Sequence, residues 1–264
     1  MRSVLPAILS LFLALVSCQT TSIGNENKHE NISSNLSLTI LERTLDFQVG
    51  PPSLLLEIST SEDYPCSNYQ IATSKELVDG TLRIEVHGIE NLEICLTAIG
   101  PASTITPLEE EFDRLIISHQ GIENEFLISI EDDVISLQPL LQLNSFFTYD
   151  TYHRLRENSF AFFCNSSADN QEVCTDFVKF MRESFTVESF SLPASGRNPY
   201  VEVASGYSQN SSSQYFTFQH GNDLNQIGEL LRSYYLTQHA NNTDLDLTIV
   251  GWNGMIFRND QRLN

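Results

Sequence analysis

The amino-acid sequence predicts an α+β protein in two parts. An N-terminal antiparallel β-sandwich of immunoglobulin-like type (39–140) is followed by a smaller domain (146–264) of βαββαβ, ferredoxin-like order. Three observations predict this. Between residues 39 and 140, short apolar runs with period-two alternation are divided by Gly, Pro and Asp. The same stretch shows no helical periodicity of useful length. Beyond residue 146, two stretches of helical periodicity each lie between strand-like runs.

In the first part, Leu54 to Ile58 form an apolar run after Pro51-Pro52, as a buried strand requires. Thr81 to His87 alternate, with Leu82, Ile84 and Val86 on one face. Glu93 to Ala98 read as a further strand that stops at Gly100-Pro101. Asp113 to Ser118 and Glu125 to Ile130 form two runs around Gln120-Gly121. Val134 to Leu137 are expected to end at Pro139, because proline cannot donate to a sheet ladder. The Cys…Trp…Cys pattern of true immunoglobulin domains is absent, since Trp252 is the only tryptophan.

In the second part, Ser159 to Cys164 are apolar on both faces, as in a central strand. Asp169 and Glu172 have capping-box spacing, and Val173, Phe177, Phe180-Met181 and Phe185 then recur at helical spacing. A strand follows over Thr186 to Leu192. The unit recurs: strand Gln214 to Phe218, a second capping-box spacing at Asp223 and Gln226, and a stripe of Leu224, Ile227, Leu231, Tyr234 and Tyr235. Leu245, Leu247 and Ile249 alternate along a closing strand.

The chain begins with one cation, Arg2, and an apolar run from Val4 to Val16 broken by Pro6 and Ser10. That is the layout of a secretory signal peptide. It falls short of the roughly 20 residues a transmembrane helix needs. Its end, Leu15-Val16-Ser17-Cys18, resembles the lipobox of bacterial lipoproteins. The resemblance covers residues 1–18. It implies removal of residues 1–17 and acylation of Cys18, which anchors the mature chain to a membrane; more than one acyl chain is needed for stable anchoring. Gln19, where many inner-membrane lipoproteins carry Asp, points to the outer membrane. Residues 18–38 hold the lipidated cysteine and a Ser/Thr/Asn-rich stretch expected to be a flexible tether.

Without residues 1–17 the formal charge is −21, which argues against nucleic acid and against basic docking on anionic lipid. The densest acid clusters, Glu109-Glu110-Glu111 with Asp113 and Glu131-Asp132-Asp133, lack the alternating spacing of a calcium loop. With Cys18 committed to lipid, four cysteines remain: Cys66, Cys95, Cys164 and Cys174. An even set in an exported chain implies two disulfides. Three pairings are open; Cys66–Cys95 and Cys164–Cys174 are expected because each lies within one domain. No close-set cysteine pair suggests zinc, and the six histidines are scattered. Five sequons, from Asn31, Asn35, Asn165, Asn210 and Asn241, would carry glycans in a eukaryotic secreted protein, but such triplets arise readily in this composition.

No nucleophile elbow, H-E-x-x-H, phosphate loop, dinucleotide fingerprint or C-x-x-C occurs. No catalytic, metal or cofactor site is expected. The aromatics offer another lead. Phe146, Phe147, Tyr149, Tyr152 and His153 lie at the expected domain junction. Tyr200, Tyr207 and Tyr215 flank the polar loop Ser208 to Gln214, a composition typical of binding surfaces but equally of interdomain packing. The leading expectation is a non-catalytic envelope lipoprotein that binds protein or glycan. The alternatives are an envelope hydrolase with its site between the domains, and a purely structural surface protein.

Overall fold

The computed structural model describes residues 29–44, 49–90, 95–108, 111–166, 171–200, 213–240 and 244–259. It is mostly β with two helices, an α+β chain. The residues expected to form a leader, and Cys18, lie outside the described residues, as do Asp169, Tyr207 and the Asn210 and Asn241 positions.

Ten strands form one sheet. β1 (Leu36–Arg43) pairs antiparallel with β2 (Ser53–Tyr64), and β2 with β5 (Gly100–Pro107). A parallel step joins β5 to β3 (Gln70–Val78), which forms a hairpin with β4 (Thr81–Glu90). Asp79 and Gly80 close that hairpin with positive φ at both positions, the turn that matches strand twist. β4 runs parallel to β6 (Arg114–His119), and hairpins lead on to β7 (Ile122–Ile130) and β8 (Val134–Leu141).

The two ends of this sheet are consecutive in the chain. β9 (Ser145–Phe147) pairs with β1, and β10 (Thr151–His153) pairs with β8. Between them, Thr148 N–H donates to Leu38 O at 3.0 Å, and Leu137 N–H donates to Asp150 O at 2.9 Å. One short stretch therefore ties both edges, which covers backbone that would otherwise be free to pair with another chain. The sheet curls around a single core that includes Leu38, Leu56, Ile84, Leu115, Phe126 and Tyr152. Asn124, fully buried, holds the turn before β9: its Oδ1 accepts N–H bonds from Leu143, Asn144 and Ser145 at 2.7, 3.0 and 3.1 Å.

Several expectations change. Ten strands are bonded into one sheet where two facing sheets were expected. Residues 30–38, expected within a tether, belong to the body: Glu30 exchanges backbone bonds with Ile89, Ile32 is buried, and β1 begins at Leu36. Leu36, Leu38 and Ile40 supply the apolar face that makes a strand favourable there. Residues 95–98 form no strand, and Gly100-Pro101 opens β5 instead of ending one. β8 runs past Pro139 because the register shifts at its partner Phe126, where no ladder donor is required. The first sheet extends through β10 to His153.

The second sheet has the order β12-β13-β11-β14-β15, all antiparallel. β11 (Ser159–Ser166) is central and buried along its whole length. α1 (Gln171–Ser184) leads to β12 (Val187–Phe190), and β13 (Gln214–Phe218) to α2 (Asp223–Gln238), then β14 (Leu245–Gly251) and β15 (Ile256–Arg258). Phe177 and Met181 of α1 and Leu224, Ile227 and Leu231 of α2 are buried against Phe160, Phe162, Phe216, Leu247 and Ile249. Phe180, placed in the apolar stripe by spacing, is 39% exposed. Asp223 is the first helical residue, preceded by Asn222 at the cap; its carboxylate accepts the His220 N–H at 3.1 Å.

Both disulfides follow the expected pairing. Cys66–Cys95 and Cys164–Cys174 are bonded, with Cα separations of 5.2 and 5.8 Å. The second pins the end of β11 to the first turns of α1. Two disulfides indicate an oxidising, non-cytoplasmic compartment. No helix among the described residues is long and apolar enough to cross a membrane.

Candidate functional site

The two sheets meet where β1 ends. Gly251 N–H donates to Met255 O at 2.8 Å and Gly254 N–H to Gly251 O at 3.1 Å, which folds the β14–β15 turn tightly. That turn is set against the first sheet: Gly50 N–H donates to Asn253 O at 3.2 Å. From the other side, Arg197 crosses to Ile40 O at 3.0 Å and exchanges backbone bonds with Thr151 and His153.

A cavity of about 480 Å³ opens between these elements. Its walls are mainly apolar: Leu155, Pro199, Val250, Trp252 and Ile256, with the body of Tyr200. Three charged residues border it, Glu42, Arg43 and Arg258. Glu42 is committed to the junction itself. Its Oε1 accepts a hydrogen bond from Arg154 Nε–H at 2.8 Å, its Oε2 accepts one from the Leu155 N–H at 2.6 Å, and its side chain is 5% exposed. Arg43 and Arg258 are exposed, and among the described residues neither has a hydrogen-bond or ion-pair partner. The volume lies within the usual range for small-molecule pockets.

A smaller cavity of about 240 Å³ adjoins it, sharing Glu42, Arg43 and Pro199 and adding Glu57, His153 and Arg197. His153 Nε2 lies 2.7 Å from Ser195 O, so that nitrogen carries the proton and donates it. The imidazole is thus held by backbone. Among the described residues no cluster of three or more His, Cys, Asp or Glu could hold a metal.

Tyr200 belongs to the wall and not to a binding loop. It is 3% exposed and stacks on Tyr215 at 5.5 Å. Ser159 donates its hydroxyl proton to Arg156 O, so the 2.5 Å contact between Ser159 Oγ and Tyr200 Oη is donated by the tyrosine. Burial pushes the Tyr200 phenol up to about 12. The remaining junction aromatics divide. Phe147 packs edge-on to Phe126 at 4.9 Å and Tyr152 is 2% exposed, whereas Phe146 and Tyr149 face outward. None of the five lines the larger cavity.

Of the residues expected from sequence, the disulfide cysteines stand apart from the cavity, and Asp133 of the second acid cluster pairs on the surface with Arg156 at 3.4 Å. Sequence reasoning passed over Arg43, Trp252 and Arg258. Trp252 carried a usable signal: a lone tryptophan between two glycines, in the turn Gly251-Trp252-Asn253-Gly254, is an unusual residue for a turn, and here it packs partly buried on the second core while lining the cavity. The arginines carried none. No protein-family model, curated protein or solved structure matches this chain.

Proposed function

We propose that this chain is an exported lipoprotein of a bacterial cell envelope, anchored through Cys18 at an outer membrane, and that it binds without catalysing. The ligand sits in the junction cavity. It presents an apolar body to Trp252, Ile256 and Leu155, and an anionic group to Arg43 and Arg258. That chemistry belongs to a free amphipathic anion, or to an acidic terminus borne on a protein or glycan.

The observation that carries this reading is the pairing of two arginines, without partners among the described residues, with apolar walls, in a chain of net charge −20. Where acids outnumber bases so heavily, cations left without carboxylates at one cavity mark a place for an outside anion. A hydrolase in the same cleft would need a free acid or base. Glu42, the carboxylate bordering the cavity, is occupied by two donors, and His153 lines the adjoining cavity and not this one.

On architecture, we read the C-terminal unit as ferredoxin-like. The βαββαβ order, with β11 between β13 and β14 and both helices packed on one face, supports it. The sandwich reading of the first unit is supported by the curl of its ten-stranded sheet around one shared core.

Trp252 makes the test direct, because the only tryptophan lines the cavity. Titration with dodecanoate should shift its emission saturably, and dodecanol should bind more weakly. Arg43→Gln and Arg258→Gln should each weaken dodecanoate about tenfold, the value of one charge-assisted bond. A peptide with an apolar C-terminal residue and a uronate oligosaccharide, titrated in parallel, separate the free from the borne anion. Unchanged emission with all of them rejects the proposal.

A further inference from the structure

The ten-stranded sheet has two unlike ends. The end of β1 at Arg43 meets the second sheet. The end at Leu36 is where residues 29–35 arrive: Glu30 is bonded to Ile89, and Leu36 N–H donates to Asn144 O at 2.9 Å. Register places the other strands. Thr60 of β2 lies opposite Leu36, and Gly100 opposite Tyr64 beyond it. Ile122 lies opposite His119, Leu141 opposite Glu125, and Phe146 beside Ser37.

That end carries a rim of exposed apolar side chains. Leu96, Ile99, Ile122, Leu141, Leu143 and Phe146 are between 37% and 78% exposed. Six large apolar groups gathered at one end of a domain are unusual on a surface that faces only water. The opposite end offers Leu77 and Val78 at the β3–β4 turn and Val49 in the β1–β2 loop.

The chain before His29 indicates what covers the rim. From Cys18 to His29 the chain reaches at most about 40 Å when fully extended. The chain joins the body at this end of the sheet, through Glu30 and Ile89, so a lipid on Cys18 holds this end nearer to the bilayer than the end at Arg43. We infer that the rim of the ten-stranded sheet at Leu36 rests on the lipid surface, inserting Leu143, Phe146 and their neighbours at the headgroup level. This rests on acylation of Cys18, proposed above. Glu62, Asp63 and Glu90 share the same end, so the surface it accepts is zwitterionic and not anionic.

The test uses the full-length acylated protein on phosphatidylcholine vesicles whose acyl chains are brominated. Leu143→Trp and Phe146→Trp each place a reporter on exposed rim positions, and Leu77→Trp places one at the far end. Bromine should quench the two rim reporters at least twofold, and leave Leu77→Trp and the native Trp252 unchanged. Adding phosphatidylglycerol to the vesicles should reduce the quenching. The mass of the N-terminal peptide is measured on the same sample. Acylated Cys18 with unquenched rim reporters overturns the inference and leaves the anchor standing. Unmodified Cys18 overturns the anchor, and the inference with it. Unquenched reporters in a stable dimer also overturn it, and assign the rim to a second copy of the chain.

Discussion

Gly254 in the β14–β15 turn lies against Thr44 at the end of β1, so closely that a Cβ on the glycine would stand 2.4 Å from the threonine Oγ1. The glycine also has φ +82°, a conformation that side chains disfavour. Both residues border the junction cavity. Gly254→Ala should therefore cost about 2 kcal/mol through backbone strain and force the two sheets apart. Urea unfolding reads the first effect. A red shift of Trp252 emission in the folded protein reads the second.

Asn124 is the buried clamp of the β8–β9 turn. One side-chain oxygen serves three backbone N–H groups. Asn124→Ala leaves those donors without their acceptor in a dry environment, at about 1–3 kcal/mol for each one left unsatisfied. A loss of about 3 kcal/mol or more in urea unfolding is expected. A loss below about 1 kcal/mol would show that water enters and replaces the amide.

Reduction of the disulfides should be costly. Removing Cys66–Cys95 by a double alanine substitution should destabilise by about 3.5 kcal/mol, and removing Cys164–Cys174 by about 3 kcal/mol. At this chain size each kcal/mol corresponds to roughly 2–4 °C in Tm. Thermal unfolding of each double variant, with the wild type in reductant alongside, checks both figures.

His119 gives the protein an acid-sensitive point. Burial holds its imidazole below the ordinary 6.5, opposed in part by its bond to Ser34 O. The unfolded chain therefore binds this proton more readily than the folded one. Stability attached to His119 is complete above pH 6.5 and falls as the pH drops below it, by up to about 1.4 kcal/mol per pH unit. His119→Gln, which keeps a donor for Ser34 O, should flatten that part of the pH–stability curve.

Much of the fold was legible because burial writes a local pattern. Leu82, Ile84 and Val86 alternate in sequence and are buried in β4; Phe177 and Met181 repeat at helical spacing and are buried in α1. β1 was hidden because its alternation, Leu36, Leu38, Ile40, sits in a Ser/Asn/Thr-rich stretch whose composition suggested a tether. β9 and β10 have three residues each, too few for any period to register. Pro139 and Gly100-Pro101 misled because a breaker is harmless at a bulge or at the start of a strand.

By itself, then, the sequence determined the α+β class, most of the longer elements and the even set of four cysteines, all from local spacing and composition. Only the tertiary structure decided that the first sheet closes on one stretch of chain between Ser145 and His153. It alone brought Arg43, Trp252 and Arg258 to one cavity. Those outcomes depend on strand pairing between distant segments, and pairing partners leave no mark on the spacing of residues along a single chain.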